Sequence, residues 1–372
     1  MESRIKNRIL VIFTGGTISC ALLKQGIKGE AENQKPGSAK TWEDYFLLTH
    51  YVETHLKDYN DRGICFDTVE PFWTDSSNMT ISKWNSLISV LKEKAKETEN
   101  EDFSQYDGII IAHGTDTLAY TASLLSVLLS HIEIPVVLVS SNEHIRSPAA
   151  NGNKNFEDAV NFICNKTNMG TYVAYSYDLR KTYFYLASQI TQSIPYINTF
   201  GHFTGIDFGY MENGVFRIDN VNQAARLAES NSLGKENILK LVDTLKNCVL
   251  IINPYVGLDY SHFNLNGIKA VLHNTYHSFT MCTENEEAAS GLSTSAIDFF
   301  EKKCRPEKVP LYFSSFDPSV VQYGTTAEMM QQGANFITNQ SVELSYAKLL
   351  IWYSSELVGN TFTLNKFLNV YK

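Results

Sequence analysis

Ile9-Leu10-Val11-Ile12-Phe13-Thr14-Gly15-Gly16-Thr17-Ile18 is the stretch that decides the fold class. A short apolar run rich in β-branched residues closes on a Gly-Gly pair, which reads as a buried parallel strand entering a tight turn. The pattern returns: Gly108-Ile109-Ile110-Ile111-Ala112 runs into His113-Gly114-Thr115-Asp116-Thr117. Alone, either motif is an ordinary strand-to-helix turn with a threonine as helix cap. Together, at matching strand ends, they meet the rule that open α/β sheets bind ligands outside the carboxyl ends of their strands. Two threonines at one sheet edge suggest hydroxyl-based nucleophilic chemistry and not dinucleotide binding.

Working outward, the early chain alternates strand and helix patterns in the manner of a doubly wound sheet. Asp67-Thr68-Val69-Glu70-Pro71-Phe72 is expected as a short strand, and Asp75-Ser76-Ser77-Asn78-Met79-Thr80 follows it. From Ser82 a helix is predicted with Trp84, Leu87, Ile88 and Leu91 on one face, and a second, apolar helix over 118–129. Pro135 to Ser140 is the next buried strand, and the polar segment 23–40 reads as a functional loop. A second unit is expected over 230–372, opening with a helix that ends near Lys246, with strands at 249–252, 267–272 and 309–314 and an amphipathic closing helix over 341–353. Its partner spans 1–205, and the Gly-bearing stretch 206–229 is the expected linker. The fold class is α/β: a larger N-terminal, mostly parallel doubly wound sheet and a smaller C-terminal α/β domain.

With 372 residues, two domains are the prior. A composition 44% apolar and 19% charged is that of a globular chain. A net charge of −9 without a dense Lys/Arg block argues against nucleic acid or an anionic membrane as partner. No run approaches the ~20 apolar residues of a membrane span. The six cysteines have no C-x-x-C spacing and read as reduced thiols of a cytoplasmic protein. His273 and His277 stand four apart but lack the further ligands a metal needs, so no metal is expected.

At the two threonine motifs, at Asp75-Ser76-Ser77-Asn78-Met79, at Asn155-Phe156 and at Ala347-Lys348-Leu349-Leu350, the chain resembles the bacterial-type L-asparaginase family, closest to its cytoplasmic type I branch. The resemblance implies hydrolysis of the side-chain amide of L-asparagine to aspartate and ammonia, with no metal or organic cofactor. It implies homodimers or homotetramers with sites near subunit contacts. Thr14 is then the first candidate nucleophile, a hydroxyl that a neighbouring base must activate. Thr115 is the second catalytic threonine, and Asp116 the carboxylate that holds the substrate α-ammonium. Asp75 and Ser76 grip the amino-acid end, with Thr17 beside them. Backbone N–H groups of Gly15 and Gly114 are placed to stabilise carboxylate or oxyanion charge.

Two departures stand out. The family's catalytic lysine is expected where this chain has Gln192, and glutamine neither carries charge nor accepts a proton near neutral pH. Lys154 and Lys181 are the nearby lysines in sequence. The family's loop tyrosine is missing as well: residues 18–44 contain none, and Tyr45 is the first available. His113 reads as a structural hydrogen-bonding residue, and His144 and Arg146 as neighbours of the site. The departures leave a second reading open, a catalytically weak or inactive amino-acid-binding protein, and a third, an amidohydrolase for a different amide.

Overall fold

The structure, a computed structural model, describes residues 6–19, 58–145, 147–165, 169–203, 205, 207–218, 236–286, 293–320, 322–355 and 363–371. The chain divides into two compact units, Met1–Leu239 and Lys240–Lys372.

The first unit is built on an eight-stranded sheet. Its parallel part comprises β1 (Asn7–Phe13), β2 (Ile64–Val69), β3 (Gly108–Ala112), β4 (Pro135–Val139) and β5 (Gly170–Tyr175), in the spatial order β2-β1-β3-β4-β5. β6 (Thr182–Leu186) then adds antiparallel to β5. A small two-stranded ladder pairs β7 (Ile190–Ser193) with β8 (Phe200–His202). β9 (Gly209–Glu212) and β10 (Val215–Arg217) complete the large sheet. The strand order reverses between β1 and β3, so the topological switch point falls between the two strands that carry the threonine motifs.

β1 and β3 are buried on both faces, as a near-continuous apolar run demands. Ile9, Val11 and Phe13 join one core cluster with Phe156, Ala159 and Val160 of the helix Gly152–Cys164 (α3). Leu10 and Ile12, equally buried, face the other side by the period-two rule. Helix α1 (Ile81–Ala95) buries Trp84, Leu87, Ile88 and Leu91 as its spacing predicts, and α2 (Leu118–Leu128) follows the second motif directly.

The second unit holds four parallel strands in sequential order, β11 (Val249–Ile252), β12 (Ala270–His273), β13 (Leu311–Phe316) and β14 (Asn335–Thr338). Helix α4 (Gly324–Gln331) precedes β14, and α5 (Val342–Ser354) follows it.

The strands expected at 267–272 and 309–314 begin later, at Ala270 and Leu311, and the structure differs from the sequence reading in four further places. The strand expected over 67–72 runs earlier, because Pro71 has no N–H for the ladder and the pairing ends at Val69. The first residues of the expected linker 206–229 are strands instead: 209–217 form a β-hairpin that extends the large sheet, turning at Asn213 and Gly214 with positive φ. The helix near Lys246 stops at Leu241. Helix α5 is buried well beyond one stripe, with Glu343, Ser345 and Lys348 inside along with its apolar residues. Residues 23–40, Tyr45 and Arg146 lie outside the described residues.

Candidate active site

The site is assembled from three loops at the carboxyl ends of β1, β2 and β3. After Phe13 the chain turns through Gly15 at φ 102° and Gly16 at φ 77°, both in the region where only glycine is free of strain. Thr74 pairs with this turn as a single β-bridge: its N–H donates to Thr14 O at 3.2 Å, and the Gly16 N–H donates to Thr74 O at 2.9 Å. A Cβ on Gly15 would stand 3.0 Å from the Thr74 carbonyl carbon, and one on Gly16 would stand 3.0 Å from that of His113. The loops therefore approach backbone to backbone. Gly114 completes the arrangement, since a Cβ there would lie 2.8 Å from Ser76 Cβ and 3.1 Å from Gly16 Cα.

Thr14 is buried, and its hydroxyl donates to Ala112 O at 2.8 Å. Thr17 opens a 3₁₀ turn, Thr17–Ser19, and is partly buried. Asp75 is exposed and Ser76 buried at the head of the 3₁₀ turn Ser76–Asn78. Ser76 locks that turn to the second motif: its hydroxyl oxygen accepts the Asp116 N–H at 3.1 Å, and its carbonyl accepts the Thr117 hydroxyl at 2.8 Å. Asp116 itself is exposed and Thr115 partly buried.

His113 lies behind this surface without any exposure, and burial pushes its imidazole down to about 4, so it is neutral. Its Nδ1 is 2.7 Å from Gly114 O, which needs a donor, so Nδ1 carries the proton. Nε2 is then the acceptor for the Thr121 hydroxyl at 2.9 Å, and the Thr121 oxygen takes the Trp84 Nε1–H at 3.0 Å. This chain ties α1 and α2 to the Gly114 carbonyl. It leaves His113 with no free nitrogen for proton transfer, which agrees with a structural role.

Gln192 is exposed on β7 and donates to the Tyr120 hydroxyl on α2 at 3.3 Å. Lys154 pairs with Asp158 at 2.9 Å, whose Oδ2 also accepts the Thr182 hydroxyl. Lys181 sits 3.9 Å above the Tyr210 ring and 3.9 Å from Glu212. Each of those two lysines has its own partners on the α3 and β9 side of the sheet. In the second unit, His273 is buried with Nε2 2.7 Å from the Tyr260 hydroxyl and Nδ1 on Asn274 O, whereas His277 is exposed.

Residues 8–183 match the family model described as "Asparaginase, N-terminal". Over that stretch, just under half of its length, the chain resembles the asparaginase family. It is 32% identical over 168 residues to the L-asparaginase of Thermococcus kodakarensis, a match covering 45% of this chain and 44% of that one. It is 30% identical over 171 residues to the mouse 60 kDa lysophospholipase, covering 42% and 27%. The matched stretch thus spans less than half the length of these relatives. The solved structure of the T. kodakarensis enzyme superimposes with a TM-score of 0.68 at 19% identity, covering 97% of this chain and 96% of that one. That likeness is one of fold.

The three loops bring together Thr14, Asp75, Ser76, Gly114, Thr115 and Asp116, the candidates that the sequence singles out. Thr74 and Lys83, which the sequence reading did not single out, adjoin them. Lys83, in the first turn of α1, donates from Nζ to Thr74 Oγ1 at 2.8 Å and to Asn78 O at 2.7 Å. A signal for it existed: Thr80 caps α1 through the Lys83 N–H, and three residues after a Thr cap the capping box places Glu or Gln, not a cation.

Proposed function

We propose that this chain is an amidohydrolase that cleaves the side-chain amide of L-asparagine to aspartate and ammonia, with Thr14 as nucleophile. The observation that carries the reading is the packing of the Thr14, Ser76 and Thr115 loops against one another at the switch point of the sheet. The Thr14 oxygen attacks the amide carbon, its proton passes to a base, and the carbonyl oxygen gains negative charge. Backbone N–H groups of the glycine loops offset that charge. Ammonia leaves with a proton, and water hydrolyses the resulting ester to free aspartate and restore Thr14. Asp116 and Asp75 supply anionic groups for the substrate α-ammonium, and Ser76 and Thr17 polar ones for its carboxylate. Gln192 orients without exchanging a proton. We further propose a homodimeric or homotetrameric, cytoplasmic protein.

One observation favours a second reading, an amino-acid-binding protein of low turnover. The Thr14 hydroxyl donates to a main-chain carbonyl, which cannot take its proton, and Gln192 stands where the resemblance implies the family's lysine. Losing a positioned proton carrier costs about 10²–10⁴-fold in rate.

Ammonia release from L-asparagine by the purified protein, beside Thr14→Ala and Thr115→Val, separates the two. Release abolished in both variants supports the threonine mechanism. Absence of release, with the melting temperature raised by L-aspartate, favours the binding protein; at 100 times Kd the ligand adds about 2.7 kcal/mol. Release only from other amides, or cleavage only of a lysophospholipid ester, would replace L-asparagine as the substrate.

A further inference from the structure

We propose that Lys83 is a positioning residue of this site, its ammonium bracing the turn that presents Asp75 and Ser76 to the substrate. The inference rests on the amidohydrolase reading for the word substrate, and on geometry alone for the brace. Nζ bonds to Thr74 Oγ1 just before the turn and to Asn78 O at its end, so one cation spans the Thr74–Asn78 segment from both sides. The first end of that span and its middle are themselves engaged. The Thr74 backbone exchanges hydrogen bonds with Thr14 and Gly16, and Ser76, between the two anchors, bonds to Asp116 and Thr117. A single side chain on α1 is therefore connected through Thr74 to the first threonine loop, and through the turn that holds Asn78 and Ser76 to the second.

Local rules do not account for a lysine here. It occupies the third position of α1, where the positive end of the helix dipole opposes a cation. Its two partners are neutral oxygens, so neither offsets its charge. Residues that break a local rule without a local gain are expected at functional sites. The gain here is geometric: charge-assisted hydrogen bonds are the stronger class, and two of them fix a five-residue segment that would otherwise be held by weaker contacts.

The test compares Lys83→Met, which keeps the stem and removes the donors, with Lys83→Arg, which keeps the charge, and with Thr74→Val, which removes one anchor. The first readout needs no ligand: amide hydrogen exchange at Gly16 and Asp116, whose N–H groups bond to Thr74 O and Ser76 Oγ. Lys83→Met is expected to speed exchange at both about tenfold, Thr74→Val to speed it less, and Lys83→Arg to restore most of the protection. The second readout is kinetic. Lys83→Met is expected to raise KM for L-asparagine about tenfold with kcat nearly unchanged, the pattern of lost uniform binding, and Arg is expected to rescue it. Unchanged exchange in folded Lys83→Met and Thr74→Val overturns the brace, and altered exchange with KM unmoved overturns its bearing on the substrate. If the wild type neither cleaves nor binds L-asparagine, the functional reading fails while the exchange data still decide for or against the brace.

Discussion

Replacing Gly16 by alanine tests whether the glycine pair serves a turn or a site. Two costs apply, and a second glycine separates them. Gly16 has φ 77°, and Gly214 in the β9–β10 turn has φ 74°, so an alanine at either position bears the same left-handed strain. That strain is about 1–2 kcal/mol. At Gly214 an added methyl group meets nothing within 4 Å, whereas at Gly16 it stands 3.0 Å from the His113 carbonyl carbon and closer still to Gly114. Carbon atoms rest at about 3.5–4.0 Å, so the two threonine loops would have to part by about 1 Å. A misplacement of about 1 Å costs roughly 100-fold in rate. Gly214→Ala is therefore expected to lower the melting temperature by about 2–8 °C with activity retained. Gly16→Ala is expected to lower it at least as far and to reduce ammonia release about 100-fold. The assays are thermal unfolding and ammonia release on both variants side by side. Full activity in Gly16→Ala would refute the reasoning, because it would mean that the close approach of the loops has no bearing on the chemistry.

Two further outcomes follow from the buried polar groups. Thr121→Val removes at once the donor to His113 Nε2 and the acceptor of Trp84 Nε1–H. Each orphaned buried group costs about 1–3 kcal/mol, so unfolding should show a loss of about 2–6 kcal/mol and Trp84 fluorescence should shift; an unchanged melting temperature would show that the network carries no strength. His113 and His273 are both held near 4 by burial, below the unfolded value of 6.5. The unfolded chain therefore binds protons first on acidification, so their stabilisation is complete above about pH 6.5 and drains away as pH falls to about 4. Each contributes on the order of 3 kcal/mol, and His113→Gln should flatten the acid limb of a stability-against-pH curve; a curve of unchanged slope counts against a neutral buried His113.

Much of this molecule is legible from residue order because the deciding elements are short, apolar and fully buried. Gly108–Ala112 is a strand to the residue, and helix α1 buries the four positions that its spacing marks. Tertiary packing overrode local pattern elsewhere. The 206–229 stretch reads as a linker from its glycines, but those at 209 and 214 serve an edge hairpin, one meeting the Arg217 backbone closely and the other supplying a turn. Helix α5 reads as one-sided, yet Glu343, Ser345 and Lys348 are buried with the rest, because burial of an interior helix does not follow its polar pattern.

The same contrast explains which candidate residues were visible. Thr14, Ser76 and Thr115 lie within runs whose local chemistry is unusual, a glycine turn after an apolar strand or a polar cluster before a helix cap. Lys83 sits inside a helix, where a lysine is ordinary and solvated in most proteins, and the residue it joins, Thr74, precedes the polar cluster. What singles it out is a conflict and not a motif: a cation where the helix dipole and the capping box both favour an anion. The dipole effect is worth about 0.3–1 kcal/mol, too little to forbid a lysine but enough to ask what offsets it. The two hydrogen bonds to Thr74 and Asn78 answer at the scale required, since bonds from a charged donor are worth about 1.5–3 kcal/mol each. The balance leaves a turn fixed from outside its own sequence, and for that reason reading the turn alone could not reveal what holds it.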